Sequence, residues 1–204
     1  MDRQQIVKEV LVRMDEVSPL DGINVIPNPI VVKLLNESAR NILLTAPIQF
    51  VPLTPFVSAA KVNINSAEVQ VGQIKLPEGF LRLVRFRLDS WLKPTHKVIQ
   101  EGSEAHKKQF NKYQFGGNHR PVVTVVTGDL GLSLEYYYKK GTAPTIIKAD
   151  CVVETPAEQM PDILLVPLFW YTAGSAFQVL EMKDAAAACF ERVKEQYNIL
   201  TNAQ

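Results

Sequence analysis

Apolar side chains recur at helical spacing over residues 2 to 17. Ile6, Val7, Val10, Leu11, Met14 and Val17 share one face, with Lys8, Glu9, Arg13 and Asp15 opposite. Ser18-Pro19-Leu20-Asp21-Gly22 ends that pattern, because proline cannot continue a helix and Asp-Gly favours a turn. A second helix begins at Asn28, a capping residue, with Pro29 suited to the first helical position. Its apolar face is Ile30, Val31, Leu34, Leu35, Ala39, Ile42 and Leu43, and Pro47 stops it.

From Ile48 the helical period disappears. Pro47, Pro52 and Pro55 break up an apolar stretch, which predicts an extended linker or an edge strand. Lys61 to Ile74 alternates weakly, with Val62, Ile64, Val69 and Val71 as inward positions. After the turn Leu76-Pro77-Glu78-Gly79, residues 80–91 read as a strong strand in which Leu81 and Leu83 partly alternate with Arg82, Arg85 and Arg87. Residues 93–120 form a long polar connection. Further strands are predicted at 121–127, 132–138 and 145–153, separated by Gly128-Asp129-Leu130-Gly131 and Lys139-Lys140-Gly141. Turns that tight imply antiparallel pairing.

The chain then returns to helical spacing in a hairpin, 161–181 and 183–200, bent at Met182-Lys183-Asp184. The expected fold class is therefore α+β: N- and C-terminal helices form a helical bundle with an inserted antiparallel β region. The bundle is discontinuous, over 1–47 and 157–204, and the inserted β-rich domain spans 48–156 with a long basic loop at 93–120.

One segment tests for a membrane span, because Ile163 to Leu180 contains no charged residue. Pro167, Thr172, Gly174, Ser175 and Gln178 interrupt it and a basic flank is missing, so a helix buried in a bundle or at a subunit interface explains it better. Phe169, Trp170, Tyr171 and Phe177 form its aromatic group. Bundle core is one reading of them; subunit packing through Phe169, Trp170 and Phe177 is the other. A surplus of apolar faces for one small bundle hints at oligomerisation.

Charge adds polarity to this layout. The 204 residues carry 22 basic and 21 acidic side chains, a net charge of +1, which excludes a uniformly basic coating protein and an acidic disordered tail. With 47% hydrophobic and 21% charged residues the chain buries a core. The cations are concentrated, however: Lys75 to Arg120 holds ten basic and four acidic residues. The band reads as a contact for nucleic acid or an acidic protein surface. Its partner-binding residues are Lys107, Lys108, Lys112 and Arg120, with Phe110, Tyr113 and Phe115 as stacking or anchoring groups. A plainer reading makes Arg82, Arg85 and Arg87 the wet face of a half-buried sheet. No DNA-recognition motif accompanies the charge.

Candidate chemistry is sparse. His96, His106 and His119 lie apart in the basic connection, without the pairing or supporting carboxylates of a zinc site, and read as solvated loop histidines. No Gly-x-Ser-x-Gly elbow is present. Gly116-Gly117 and Gly128-Asp129-Leu130-Gly131 lack the Lys-Ser ending of a phosphate loop and read as turns. Glu78 and Asp89 are separated by a strand, with no case for acid–base work. Nothing supports an enzyme, a cofactor or a resident metal. The two cysteines, Cys151 and Cys189, are too few for a disulfide framework, and the N-terminus reads straight into a helix, so a reducing cytosol is the expected setting.

The block Leu76-Pro77-Glu78-Gly79-Phe80-Leu81-Arg82-Leu83-Val84-Arg85 runs on to Asp89-Ser90-Trp91 and Pro94. It is followed by Gln109-Phe110-Asn111-Lys112, the strand from Pro121, Leu134-Glu135-Tyr136-Tyr137-Tyr138 and the C-terminal helices through Ala185 to Arg192. In order and spacing this resembles the head-to-tail adaptor, or neck ring, proteins of short-tailed bacteriophages, particularly the ring proteins of crAss-like phages. The likeness covers most of residues 75–200.

The resemblance implies a virion structural protein, not an enzyme, assembled in the host cytoplasm. Copies would form a ring, a dodecamer, beneath the portal protein. They would extend the DNA channel without sequence-specific binding and offer a platform to other neck and tail ring proteins. It also implies that the C-terminal segment, through Val193, Tyr197, Ile199 and Leu200, contacts the portal, and that 93–120 is a partner-binding loop. The alternative is a monomeric protein- or nucleic-acid-binding module acting through that loop.

Overall fold

The computed structural model describes residues 1–18, 28–65, 69–128, 130–139, 141 and 144–202. The protein is mixed α and β, with five α-helices and two mainly antiparallel sheets among these residues. It divides into two compact units: 1–52 with 154–204, and 53–153. The first is helical and the second is built on the sheets.

The helical unit holds α1 (Arg3–Val17), α2 (Asn28–Thr45), α4 (Asp162–Val179) and α5 (Lys183–Asn202), with short 3-10 turns at Ile48–Phe50 and Ala157–Gln159. Asp2 starts α1 through a capping box: its carboxylate accepts from the Gln5 N–H at 2.8 Å while Gln5 Oε1 accepts from the Asp2 N–H at 3.2 Å. The predicted turn after α1 falls, from Pro19 on, outside the described residues.

Helix α4 is the centre of this unit, packed by α1, α2 and α5. Ten of its residues are buried, Pro167 and Gly174 among them. Gly174 permits the close approach of α5, since a Cβ there would lie 2.9 Å from the Phe190 ring. The helix ends in a left-handed residue, Glu181 (φ 61), with the Met182 N–H donating to the Phe177 carbonyl at 2.9 Å.

The β unit contains two sheets. One has the order β1-β8-β4, from Thr54–Pro55, Ile146–Val153 and Phe80–Leu88. The two-residue β1 with its proline is an edge, as Pro52 and Pro55 predict. Strand β4 pairs with β8 through register shifts at Phe80/Arg82, Leu83/Arg85 and Arg87/Leu88. Those shifts explain the imperfect alternation: Leu83, Phe86 and Leu88 are all buried although the first two are three positions apart. Arg85 forms an ion pair with its cross-strand neighbour Asp150.

The second sheet has the order β2-β3-β7-β6-β5: Lys61–Asn65, Val69–Lys75, Gly131–Lys139, Val123–Gly128 and Val98–Ile99. Val69 and Val71 are buried as expected and Val62 is half-buried, whereas the side chain of Ile64 lies outside the described set. All pairs are antiparallel except β5 with β6. That exception departs from the expectation because residues 100–122 form a connection long enough for a parallel crossover. Strand β7 is buried continuously from Ser133 to Tyr138, so both faces of the sheet are covered. One face joins Leu134, Tyr136 and Tyr138 to a core with Phe86, Trp91 and Ile146. The other presents Tyr137 with Val69 and Val71, against which Phe115 and Val122 pack.

Candidate functional site

The 93–120 connection carries the richest chemistry, and it is an ordered cover with a cleft in it. A short helix, α3 (Glu104–Lys108), starts where the Ser103 hydroxyl accepts from the His106 N–H at 3.2 Å. It places His106 against β7. His106 Nδ1 accepts from the Gly102 N–H at 3.0 Å, so the ring proton sits on Nε2 and donates to Glu135 Oε1, also at 3.0 Å. Glu135 takes two more donors, the Tyr137 hydroxyl at 2.6 Å and Gln73 Nε2 at 3.2 Å. Thr124 Oγ1 lies 2.7 Å from the Tyr137 oxygen and, since that hydroxyl's proton goes to Glu135, is the donor.

A carboxylate 6% exposed is tolerated because each lobe is satisfied. Burial, and then the bond to Glu135, push the Tyr137 phenol far above its ordinary range. Phe110 closes the group edge-on to both rings, 5.2 Å from His106 and 5.8 Å from Tyr137 between centroids.

His106 is therefore not the solvated loop histidine the sequence suggests; its side chain is 13% exposed and ties the connection to the sheet. His96 and His119 are exposed. Among the described residues, no group of three or more His, Cys, Asp or Glu is placed to hold a metal ion.

Beside this tether lies a cleft of about 530 Å³. One wall is 93–97, bound to β4 by paired main-chain bonds of 2.8 Å between Phe86 and Thr95. The other runs from Gln109 to Val122. Gln109 Oε1 accepts from the Gly116 N–H at 3.0 Å, and the Arg120 N–H donates to the Gly116 carbonyl at 3.0 Å. Gly116 cannot be replaced there, as a Cβ would lie 1.9 Å from the Arg120 carbonyl oxygen. The Gly-Gly pair is thus the turn that delivers Arg120 to the cleft.

Lys93, His96, Lys97 and Arg120 line it and no carboxylate does. Lys93, Lys97 and Arg120 form no ion pair among the described residues. Such a lining attracts anionic groups.

The other expected contact residues separate into two groups. Lys107, Lys108, Lys112 and Arg120 are exposed, as is Tyr113 at 84%, with Lys112 Nζ 4.9 Å from the Tyr113 ring centroid. Phe110 is 39% exposed, and Phe115 is half-buried under the sheet, so these two anchor the connection itself. Lys93, Lys97 and the buried Glu135 were missed as site residues. The signal for Glu135 was a lone acid within an otherwise apolar strand.

In the helical unit two expectations change. Phe169, Trp170 and Phe177 are 5%, 8% and 0% exposed within their own chain, where they belong to the core. The physical reason is that α1, α2 and α5 already surround α4, which absorbs the apolar surplus. Val193 is 6% exposed in the same core, and Tyr197 is half-buried with its hydroxyl 3.3 Å from Thr45 Oγ1. At the end of α5, Ile199 is 58% exposed and Leu200 half-buried. Among the described residues no helix is long and apolar enough to cross a membrane.

No protein-family model matches the chain, and no curated protein does.

Proposed function

We propose that this chain is a structural subunit of the phage head-to-tail connector, forming a ring in the virion neck below the portal protein. In this role it extends the DNA channel and offers a platform to tail components. The observation that carries the reading is the layout: helices from both ends of the chain share one unit, and the 101 residues between them, 53–153, form a separate β unit with its own core. This layout supports the helical bundle with an inserted β region that the neck-ring resemblance implies. The exposed end of α5, at Ile199, is the portal-facing edge, and the exposed part of 93–120 meets the next ring.

The test is to mix the purified protein with candidate portal and neck components and measure particle mass alongside negative-stain images. A closed ring, alone or on the portal, is expected. A monomer indifferent to every such component overturns the reading. Deleting residues 198–204 is expected to weaken portal binding while leaving the fold intact, because α5 is buried chiefly through Ala186, Cys189 and Val193.

The cleft without a carboxylate favours a second reading, a module that binds acidic protein or nucleic acid through the 93–120 segment. Retention on bulk DNA by the isolated monomer, falling steeply with salt, would select it.

A further inference from the structure

The near-neutral chain conceals two oppositely charged units. Residues 1–52 and 154–204 hold thirteen acidic and eight basic side chains, a net −5, whereas 53–153 holds fourteen basic and eight acidic ones, a net +6. Internal pairing leaves the contrast in place. In the helical unit Arg3, Arg13, Arg40, Arg192 and Lys194 are engaged by Glu158, Glu9 and Glu16, Glu154, Glu195 and Glu191. Glu37, Asp162, Glu181 and Asp184 remain exposed and form no ion pair among the described residues. In the β unit Asp150 is engaged by Arg85, Glu135 by His106 and Glu104 by Lys108, while Glu78, Asp89 and Glu101 are exposed and form no ion pair among the described residues. Lys93, Lys97 and Arg120 are left around the cleft.

We propose that the cleft is filled by a second copy of this chain, the basic cleft of one copy docking on the acidic helical unit of the next. Such a contact is heterologous, one surface meeting a different surface, and repeats from copy to copy. It requires one chain to carry two regions of opposite net charge, which these units do. A nucleic acid would gain from the cleft and be repelled by the other half of the molecule. The proposal deepens the ring reading above and rests on it for closure of the repeat.

The experiment places a photo-crosslinking residue, p-benzoylphenylalanine, at the exposed His96 of the full chain and mixes isotopically labelled with unlabelled copies, with and without portal protein. Crosslinks between copies are expected from His96 to residues 1–52 or 154–204. The variant K93E/K97E/R120E, altered only at exposed positions, is expected to associate about tenfold or more weakly, and the neutral K93Q/K97Q/R120Q to an intermediate degree. Wild-type association should weaken as salt rises from about 0.05 M to about 0.5 M.

Crosslinks confined to the β unit of the other copy, to added DNA or to the portal protein would overturn the proposal. So would rings that form equally well from the charge-reversed variant, an outcome that leaves the connector reading standing. Salt-sensitive self-association with the expected crosslinks, but no ring with any neck component, would sink the connector reading and keep this contact. Absence of both association and crosslinks rejects the two together.

Discussion

At the scale of single residues, Glu135 and Asp150 are the two carboxylates buried among the described residues, and Glu135 gathers the larger set of donors. Glu135 accepts from His106, Tyr137 and Gln73, so its removal strands three donors in a covered site. Glu135→Ala is expected to cost about 3 kcal/mol or more, and Tyr137→Phe, which removes one donor and leaves Thr124 without its acceptor, about 1–2 kcal/mol. Urea midpoints of the two variants check the order. The thiols make a pH prediction. Cys151 and Cys189 are both free and buried, and burial pushes each from 9.0 up to about 11. Between those values the unfolded chain has released protons that the folded chain still holds. Stability is therefore whole below pH 9 and falls as pH climbs toward 11. Tyr136, raised to about 12 by burial, extends the loss in the same direction. Unfolding by urea at about pH 8 and about pH 10.5 measures the slope, and Cys151→Ala with Cys189→Ala should flatten its lower part.

At the scale of elements, two backbone positions separate what is comfortable from what is tolerated. Glu181 holds the left-handed cap of α4, a conformation that costs an ordinary side chain free energy. Glu181→Gly is expected to raise stability by about 1 kcal/mol, read as a higher urea midpoint at unchanged slope. Gly72 on β3 pairs with Tyr136 on β7, whose ring lies over it; a Cβ would sit 2.2 Å from that ring. Gly72→Ala should expel Tyr136 from its contacts with Phe86 and Tyr138 and cost about 1–3 kcal/mol. If thermal unfolding of that variant matches wild type, the packing described for this face is wrong.

At the scale of the whole molecule, each unit owns one tryptophan in its own core: Trp170 in the helical unit and Trp91 in the β unit, 8% and 1% exposed. Trp91→Phe leaves fluorescence from the helical unit alone, and Trp170→Phe from the β unit alone. Because each core is separate, the two single-tryptophan proteins are expected to unfold at different urea midpoints. Coincident midpoints would mean that the units melt as one cooperative body.

The sequence by itself determined the long helices and most of the strands, but not α3 or β5 within 93–120. Helical spacing located α1, α2, α4 and α5 to within a few residues, and prolines and glycines located most of the breaks, because both signals are local and repeat along the chain. It also determined the concentration of cations between Lys75 and Arg120. Only the tertiary structure decided what those elements touch. Helix α4 reads as apolar on every side, and nothing local says whether its neighbours belong to the same chain; α1, α2 and α5 supply them. His106 reads as solvated because its partners, Glu135 and Gly102, include one 29 positions away. The cleft exists because the Gly116 turn and the Phe86–Thr95 bridge bring 93–97 opposite Arg120. Burial and ion pairing depend on long-range contacts, and no periodicity along a chain encodes which distant segment will provide them.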